Sequence, residues 1–265
     1  NILDPKTGEN RRIAVGQPVG AVAFIADRKN EGLPDTLMLI TRDGFQRLDL
    51  RTERLSPVVD PEYDKPHNRF NDGRVDDAGR YWAGTMCTLR EIRDGAGALY
   101  MLDCDKTVST KLTGVTTSNG IGWSPDSRTM YYNDTPTHET VAFDFDLDTA
   151  EISNRRTFVQ FSGEHGRPDG LTVDSQGNVY IAHWAGGRVT QWSPDGRLLD
   201  TIEVPAINVT SCALGGDDLR TLFITTAREG MTDEQLERFP HSGGIFFLRR
   251  DIPGKKENEF QTAVF

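Results

Sequence analysis

The sequence predicts an all-β fold: a single domain over residues 1–265, built as a six-bladed β-propeller of four-stranded antiparallel blades. Three observations carry that expectation. A meander of short strands joined by Gly, Asp and Pro turns recurs along the chain. Its third strands return about every 43 to 57 residues, and helical periodicity is confined to 232–239.

The clearest unit runs over 170–205. Residues 171–174 read as a short strand, followed by the turn Ser175-Gln176-Gly177. A second strand at 179–184 ends in Ala185-Gly186-Gly187, a third at 188–192 ends in Ser193-Pro194-Asp195-Gly196, and a fourth occupies 198–204. Strands of this length between turn-forming residues make one up-and-down meander. First strand plus turn recurs at 21–30, 74–79, 121–127, 171–177 and 212–218. Third strand plus turn recurs at 1–8, 45–53, 98–106, 141–150, 188–196 and 245–251. Six third strands against five first strands imply six blades, the first of them without its first two strands in this chain. The exceptional stretch, 232–239, opens on a cap-type Thr232 with Glu234 and Gln235 in its first turn. It is expected as a short helix inserted in the last blade.

Composition narrows the partners. Hydrophobic content of 36% with 26% charged residues is ordinary for a globular chain. A formal net charge of −10 argues against nucleic acid and against anionic membrane surfaces, which both require a basic face. No apolar run approaches the roughly 18 residues of a membrane span, and no signal-like segment opens the sequence. A monomeric cytoplasmic protein acting on a small molecule is the expectation. Cys87, Cys104 and Cys212 are odd in number and lack CxxC spacing, so they read as reduced structural thiols. The glycosylation-type triplets Asn133-Asp134-Thr135 and Asn208-Val209-Thr210 carry no weight.

In a propeller the first strand of each blade lines the central channel, so residues just before it ring one opening. Those positions hold Gln17, Asn71 with Asp72, Asn119, Asp169, and Asn208 with Ser211. All carry side-chain oxygens. Turn chemistry alone supplies some Asn, Asp and Ser, but a polar oxygen in every complete case fits a shared site better. Oxygen donors without Cys or His are hard ligands, suited to Ca²⁺, Mg²⁺ or Mn²⁺. His183 reads as a satisfied inter-blade residue, and His67 and His165 as residues that could frame a pocket.

Several phrases occur in order: NRFND at 68–72, GRYWAGTM at 79–86, SNG at 118–120, ISNRR at 152–156, PDG at 168–170 and GGIF at 243–246. Together they resemble the senescence-marker-protein, gluconolactonase and luciferin-regenerating-enzyme family over nearly the whole chain. The resemblance implies a propeller that holds one divalent cation in its channel and hydrolyses sugar lactones. Ca²⁺ comes first, with Zn²⁺, Mg²⁺, Mn²⁺ or Fe²⁺ as alternatives. Position by position, it implies Asn119 and Asp169 as metal ligands and Asp169 also as general base. Arg69 and Asn71 are implied as substrate-binding residues facing the lactone oxygens.

Two departures from the family stand out. Its remaining ligand is a glutamate in a Gly-Glu-(Gly/Ser)-Pro phrase before the first strand of blade one. That phrase does not occur here, and a site with one carboxylate in place of two would hold its cation more weakly. Regucalcin-like members also carry a substrate-contacting glutamate after the Thr-Met phrase. Here that loop reads Cys87-Thr88-Leu89-Arg90-Glu91, and Glu91 is the nearest candidate, slightly out of register.

Lactone hydrolysis needs a polarised carbonyl, an activated water and stabilisation of the developing oxyanion, which a divalent ion can help to supply. Asp169 either anchors the ion or takes the proton of the attacking water. Arg69 would hold the sugar oxygens through its planar donor fork, or else pair with Asp72 and stiffen the loop. Two other readings stay open: a phosphotriesterase of the diisopropyl-fluorophosphatase type, and a non-catalytic calcium-binding or interaction propeller.

Overall fold

The structure is a computed structural model that describes residues 1–4, 7–26 and 35–262. Four blades are complete antiparallel sheets with strands in sequence order. The first holds β3 (Val19–Phe24), β4 (Thr36–Thr41), β5 (Gly44–Asp49) and β6 (Leu55–Val59). The second holds β7 (Asn68–Val75), β8 (Tyr81–Cys87), β9 (Gly97–Leu102) and β10 (Val108–Val115). The third holds β11 (Ser118–Trp123), β12 (Thr129–Asp134), β13 (Glu139–Asp146) and β14 (Glu151–Gln160). The fourth holds β15 (Arg167–Val173), β16 (Val179–Trp184), β17 (Arg188–Trp192) and β18 (Leu198–Glu203). A fifth blade has three strands, β19 (Asn208–Gly215), β20 (Thr221–Ala227) and β21 (Ile245–Arg249). The pair β1 (Ile2–Leu3) and β2 (Asn10–Arg11) forms a two-stranded sheet of its own.

The chain is therefore a propeller, but the expected six blades are five, plus that short ladder. The physical reason is burial. All four residues of β1 and β2 are exposed, so the ladder has no packed face of the kind that makes a blade. The turn expected to follow the first strand, up to Asn30, lies outside the described residues.

Blades pack face to face, which explains why their inner strands are apolar on both sides. Every residue of β9 and β11 is buried, whereas the outer β14 exposes most of its length. The two-residue period sorts side chains between neighbouring interfaces. Tyr81 and Ala83 of β8 enter the core shared with β3–β6, and Trp82 between them enters the core shared with β11–β14. Tyr131 and Tyr132 divide in the same way, as do Tyr180 and Ile181.

The repeated turn acids hold each inner hairpin. Asp76 accepts from the Ala78 and Arg80 amides (3.0 Å each), Arg80 Nε (2.7 Å) and Trp82 Nε1 (2.8 Å). Asp174 accepts from the Gln176 and Asn178 amides at 2.9 Å. These acids are structural. The inserted helix is present as α1 (Asp233–Arg238), with the capping box between Thr232 and Gln235.

One segment was not legible as an element. Residues 250–262 cross the turn end of the channel and touch four blades. The Pro253 carbonyl accepts from Ser175, Gly254 donates to Leu219, Lys255 pairs with Asp77, and Phe260 exchanges backbone bonds with Phe24 and Ala26. Phe260 is fully buried in the core between the first two blades. No helix among the described residues is long and apolar enough to cross a membrane.

Candidate functional site

Apart from Gln17, which precedes β3 as expected, the oxygen-bearing residues lie within the first strands and not before them. Each first strand is irregular at the same level. The ladder register shifts between Val19 and Ala21, Phe70 and Asp72, Ser118 and Ile121, Pro168 and Leu171, and Val209 and Ser211. A bulge leaves a residue unpaired and re-aims it. Asn71, Asn119 and Asp169 all sit in these irregular steps.

Close approach of neighbouring blades brings them together. A Cβ on Gly120 would lie 2.6 Å from both the Asp169 carbonyl oxygen and the Leu171 nitrogen. A Cβ on Gly170 would lie 2.3 Å from Ser211 Oγ. Only glycine at the step after Asn119 and after Asp169 lets the inner strands approach this closely.

Hydrogen bonds then lock the set. Arg69 Nη1 donates to Asn71 Oδ1 (2.9 Å) and to the Phe70 carbonyl (3.0 Å). Asn71 Nδ2 donates across the blade boundary to the Ser118 carbonyl (2.8 Å), and Tyr132 donates to Ser118 Oγ (2.7 Å). Asn119 Nδ2 donates to Thr135 Oγ1 (3.0 Å), and Asn133 Nδ2 to the Asp169 carbonyl (2.6 Å). The Arg69–Asp72 salt bridge considered from sequence is not among the described ion pairs, and Arg69 instead orients Asn71.

Electrostatics make this spot unusual. Burial raises Asp169 well above the usual carboxylate range, and the negative charge of Asp72 raises it further, against hydrogen bonds from Asn119 and the Gly170 amide. Burial pushes Asp72 up to about 6, opposed by the Gly73 amide and the charge of Arg74. Two buried carboxylates that feel each other demand a proton or a cation. Asn119 spends its Nδ2 group on Thr135 and Asp169, and no described hydrogen bond engages its Oδ1. A buried carboxylate hydrogen-bonded to Asn119, with the charge of a second buried carboxylate acting on it, is hard-donor chemistry and fits a divalent cation. Among the described residues no group of three or more His, Cys, Asp or Glu is arranged for a metal.

The remaining candidates fall elsewhere. Gln17 accepts from the Asp43 amide (3.1 Å) and caps the β4–β5 turn. Asn208 Nδ2 is committed to the Glu229 carbonyl (2.9 Å). Glu91 is exposed on the 3₁₀ turn Arg90–Ile92, and no described hydrogen bond or ion pair joins it to Arg69 or Asn71. His183 is buried between Thr190 Oγ1 (2.8 Å) and the His165 carbonyl (3.0 Å), and burial lowers it to about 4, a neutral structural histidine. All three cysteines are free.

Sequence reasoning missed several residues that surround the set. Burial lowers Arg69, the charge of Glu229 works against that lowering, and the charge of Arg93 adds to it. Arg93 donates to Thr117 Oγ1 at 2.6 Å. The triplet Asn133-Asp134-Thr135, dismissed as a chance sequon, supplies the Asp169 and Asn119 contacts, and its Asp134 receives the Thr116 and Thr117 amides. The signal available was its position at the end of a second strand facing the ring.

A sequence model of the SMP-30/gluconolactonase/LRE-like region matches residues 1–228. The chain belongs to this family. Among SMP-30/gluconolactonase relatives, chicken (Gallus gallus) regucalcin is 38% identical over 249 residues, covering 92% of this chain and 80% of its own. YvrE of Bacillus subtilis (strain 168), by provisional name a sugar lactone lactonase, is 36% identical over 265 residues, covering 100% of this chain and 88% of its own. The solved structure of a calcium-binding protein, regucalcin, from Agrobacterium tumefaciens superposes with a TM-score of 0.90 at 29% identity, over 98% of this chain and 85% of that one.

Proposed function

We propose that this protein is a divalent-cation-dependent hydrolase that opens sugar lactones to aldonic acids. The observation that carries the reading is the hydrogen bond between Asn119 and the buried Asp169 at the bulged steps of adjacent inner strands, with the charge of buried Asp72 acting on Asp169. The names of the family and of YvrE support the substrate class.

Asn119 and Asp169 would hold the cation, with Asp72 adding negative charge close by. When bound, the ion polarises the lactone carbonyl and acidifies a water. The chain's own groups do the rest. Arg69, fixed on Asn71 at 2.9 Å, presents its remaining donors to the sugar oxygens. Asn71 is held to Ser118 and keeps that fork aimed at the channel mouth. Asp169 takes the proton of the attacking water as its oxygen bonds to the lactone carbon. The ring C–O bond breaks, and the proton passes to the departing ring oxygen. Glu91 is proposed as a rim residue that contributes to sugar preference.

The reading is tested by assaying gluconolactone, xylonolactone and arabinonolactone with and without added cation, for wild type and Asp169→Asn. Cation-dependent turnover lost in the variant supports it. A second reading, a cation-binding propeller without catalysis, is favoured by the naming of the Agrobacterium relative as a calcium-binding protein; it predicts cation binding with no lactone turnover. Faster turnover of an organophosphate than of any lactone would point to the phosphotriesterase reading instead.

A further inference from the structure

Arg74 occupies the penultimate position of β7, on the channel side below the site. Its Nη1 donates to two carbonyls on two other blades, Ile121 of β11 (3.3 Å) and Leu171 of β15 (3.2 Å). Its Nη2 reaches Thr172 Oγ1 (3.5 Å) and Glu257 Oε1 (3.0 Å) of the segment that crosses the channel. Ile121 and Leu171 each stand two residues after Asn119 and Asp169.

One guanidinium thus bonds to both strands that present the proposed ligands. It does so from the strand that presents Arg69, Asn71 and Asp72. The bonds also have a physical necessity. β11 and β15 are the innermost strands of their sheets, so their channel-facing carbonyls have no ladder partner. A planar fork with several donors can satisfy two of them at once. Gly122 leaves the space: a Cβ there would lie 2.9 Å from Leu171 Cδ1 and 3.5 Å from Arg74 Nη1.

We propose that Arg74 is a positioning residue that sets the spacing between Asn119 and Asp169 by clamping β11 to β15, and that Glu257 latches its guanidinium from the C-terminal segment. What is positioned rests on the cation reading above; the clamp itself rests on the hydrogen bonds. A merely structural Arg74 would lower thermal stability when replaced and leave the cation affinity of the folded protein unchanged.

The test measures the affinity of the full chain for Ca²⁺ and Mn²⁺, each alone, by calorimetry at neutral pH, beside thermal melts and lactone kinetics. Wild type is compared with Arg74→Met, Arg74→Lys and Glu257→Ala. Arg74→Met is expected to weaken the cation about tenfold to a hundredfold, the range for lost outer supports of a metal site. Arg74→Lys, which keeps a charge and donors for the two carbonyls, is expected to recover most of that loss. Glu257→Ala, which frees the fork without removing it, is expected to weaken the cation less than Arg74→Met. A folded Arg74→Met that binds cation like wild type overturns the clamp. If Arg74→Met does not fold, Glu257→Ala decides: a weaker cation supports the clamp, and wild-type affinity overturns it. Wild type that binds neither ion sinks the cation reading itself, and the positioning role with it.

Discussion

Replacing Gly120 by alanine probes the blade contact on which the site is built. The added Cβ would stand 2.6 Å from two backbone atoms of the neighbouring blade, the Asp169 carbonyl oxygen and the Leu171 nitrogen, and 2.9 Å from Asn133 Nδ2. Backbone on both sides leaves no flexible side chain to swing away. Reaching ordinary contact near 3.4 Å requires β11 and β15 to part by about 0.8 Å. That movement stretches the Asn133–Asp169 bond from 2.6 Å to about 3.4 Å. Overpacking costs about 1–3 kcal/mol and a weakened buried hydrogen bond about 1 kcal/mol more. The expected loss is therefore about 2–4 kcal/mol, or roughly 5–15 °C in Tm for a chain of this size. Since the contact lies beside Asp169, a displacement approaching 1 Å should also cost up to about a hundredfold in turnover. Thermal melts by circular dichroism and lactone turnover measure both. Gly163→Ala is the control, because its Cβ would meet nothing nearer than His138 Cε1 at 3.9 Å; a change within about 0.5 kcal/mol is expected. Gly120→Ala melting and turning over like the control would refute the reasoning.

Three further outcomes are expected. In cation-free protein, Asp72 is raised from 3.8 to about 6, so its burial costs nothing below pH 4 and destabilises fully above pH 6. Relative to Asp72→Asn, wild type should lose stability as pH rises through that window, and chemical denaturation at several pH values would show a flat difference if this is wrong. Phe260→Ala removes a fully buried ring from the core between the first two blades; a loss of about 3–5 kcal/mol is expected, read as a lower urea midpoint. Asn133→Ala removes the donor to the Asp169 carbonyl and the acceptor for Thr140; it should lower kcat more than it raises KM, and unchanged kinetics would show that the Asp169 backbone is held by other means.

Much of the architecture was legible because its causes are local. Turn residues such as Asp76-Asp77-Ala78-Gly79 punctuate the chain, and the short strands between such turns recur along it. Asn119 and Asp169 stood out because each precedes a glycine and recurs at the same place in its repeat. What stayed hidden was set by contacts far apart in sequence. The first strands begin several residues before the apolar run, because a bulge breaks the alternation that marks a strand. Asp72 was read as a ring oxygen, but only the packed channel shows that it raises Asp169. Residues 250–262 lack strand or helix periodicity, since their backbone bonds are scattered over four different blades. Arg74 carries no motif, and its role exists only where three inner strands meet.

The most direct test of the central claim is an anomalous-scattering map from crystals of the Mn²⁺-loaded protein. A single strong peak on the channel axis, about 2.0–2.6 Å from Asn119 Oδ1 and an Asp169 carboxylate oxygen, the span for hard divalent ions on oxygen, is the predicted result. A peak elsewhere on the molecule, with Asn119 and Asp169 contacting no metal, would contradict it.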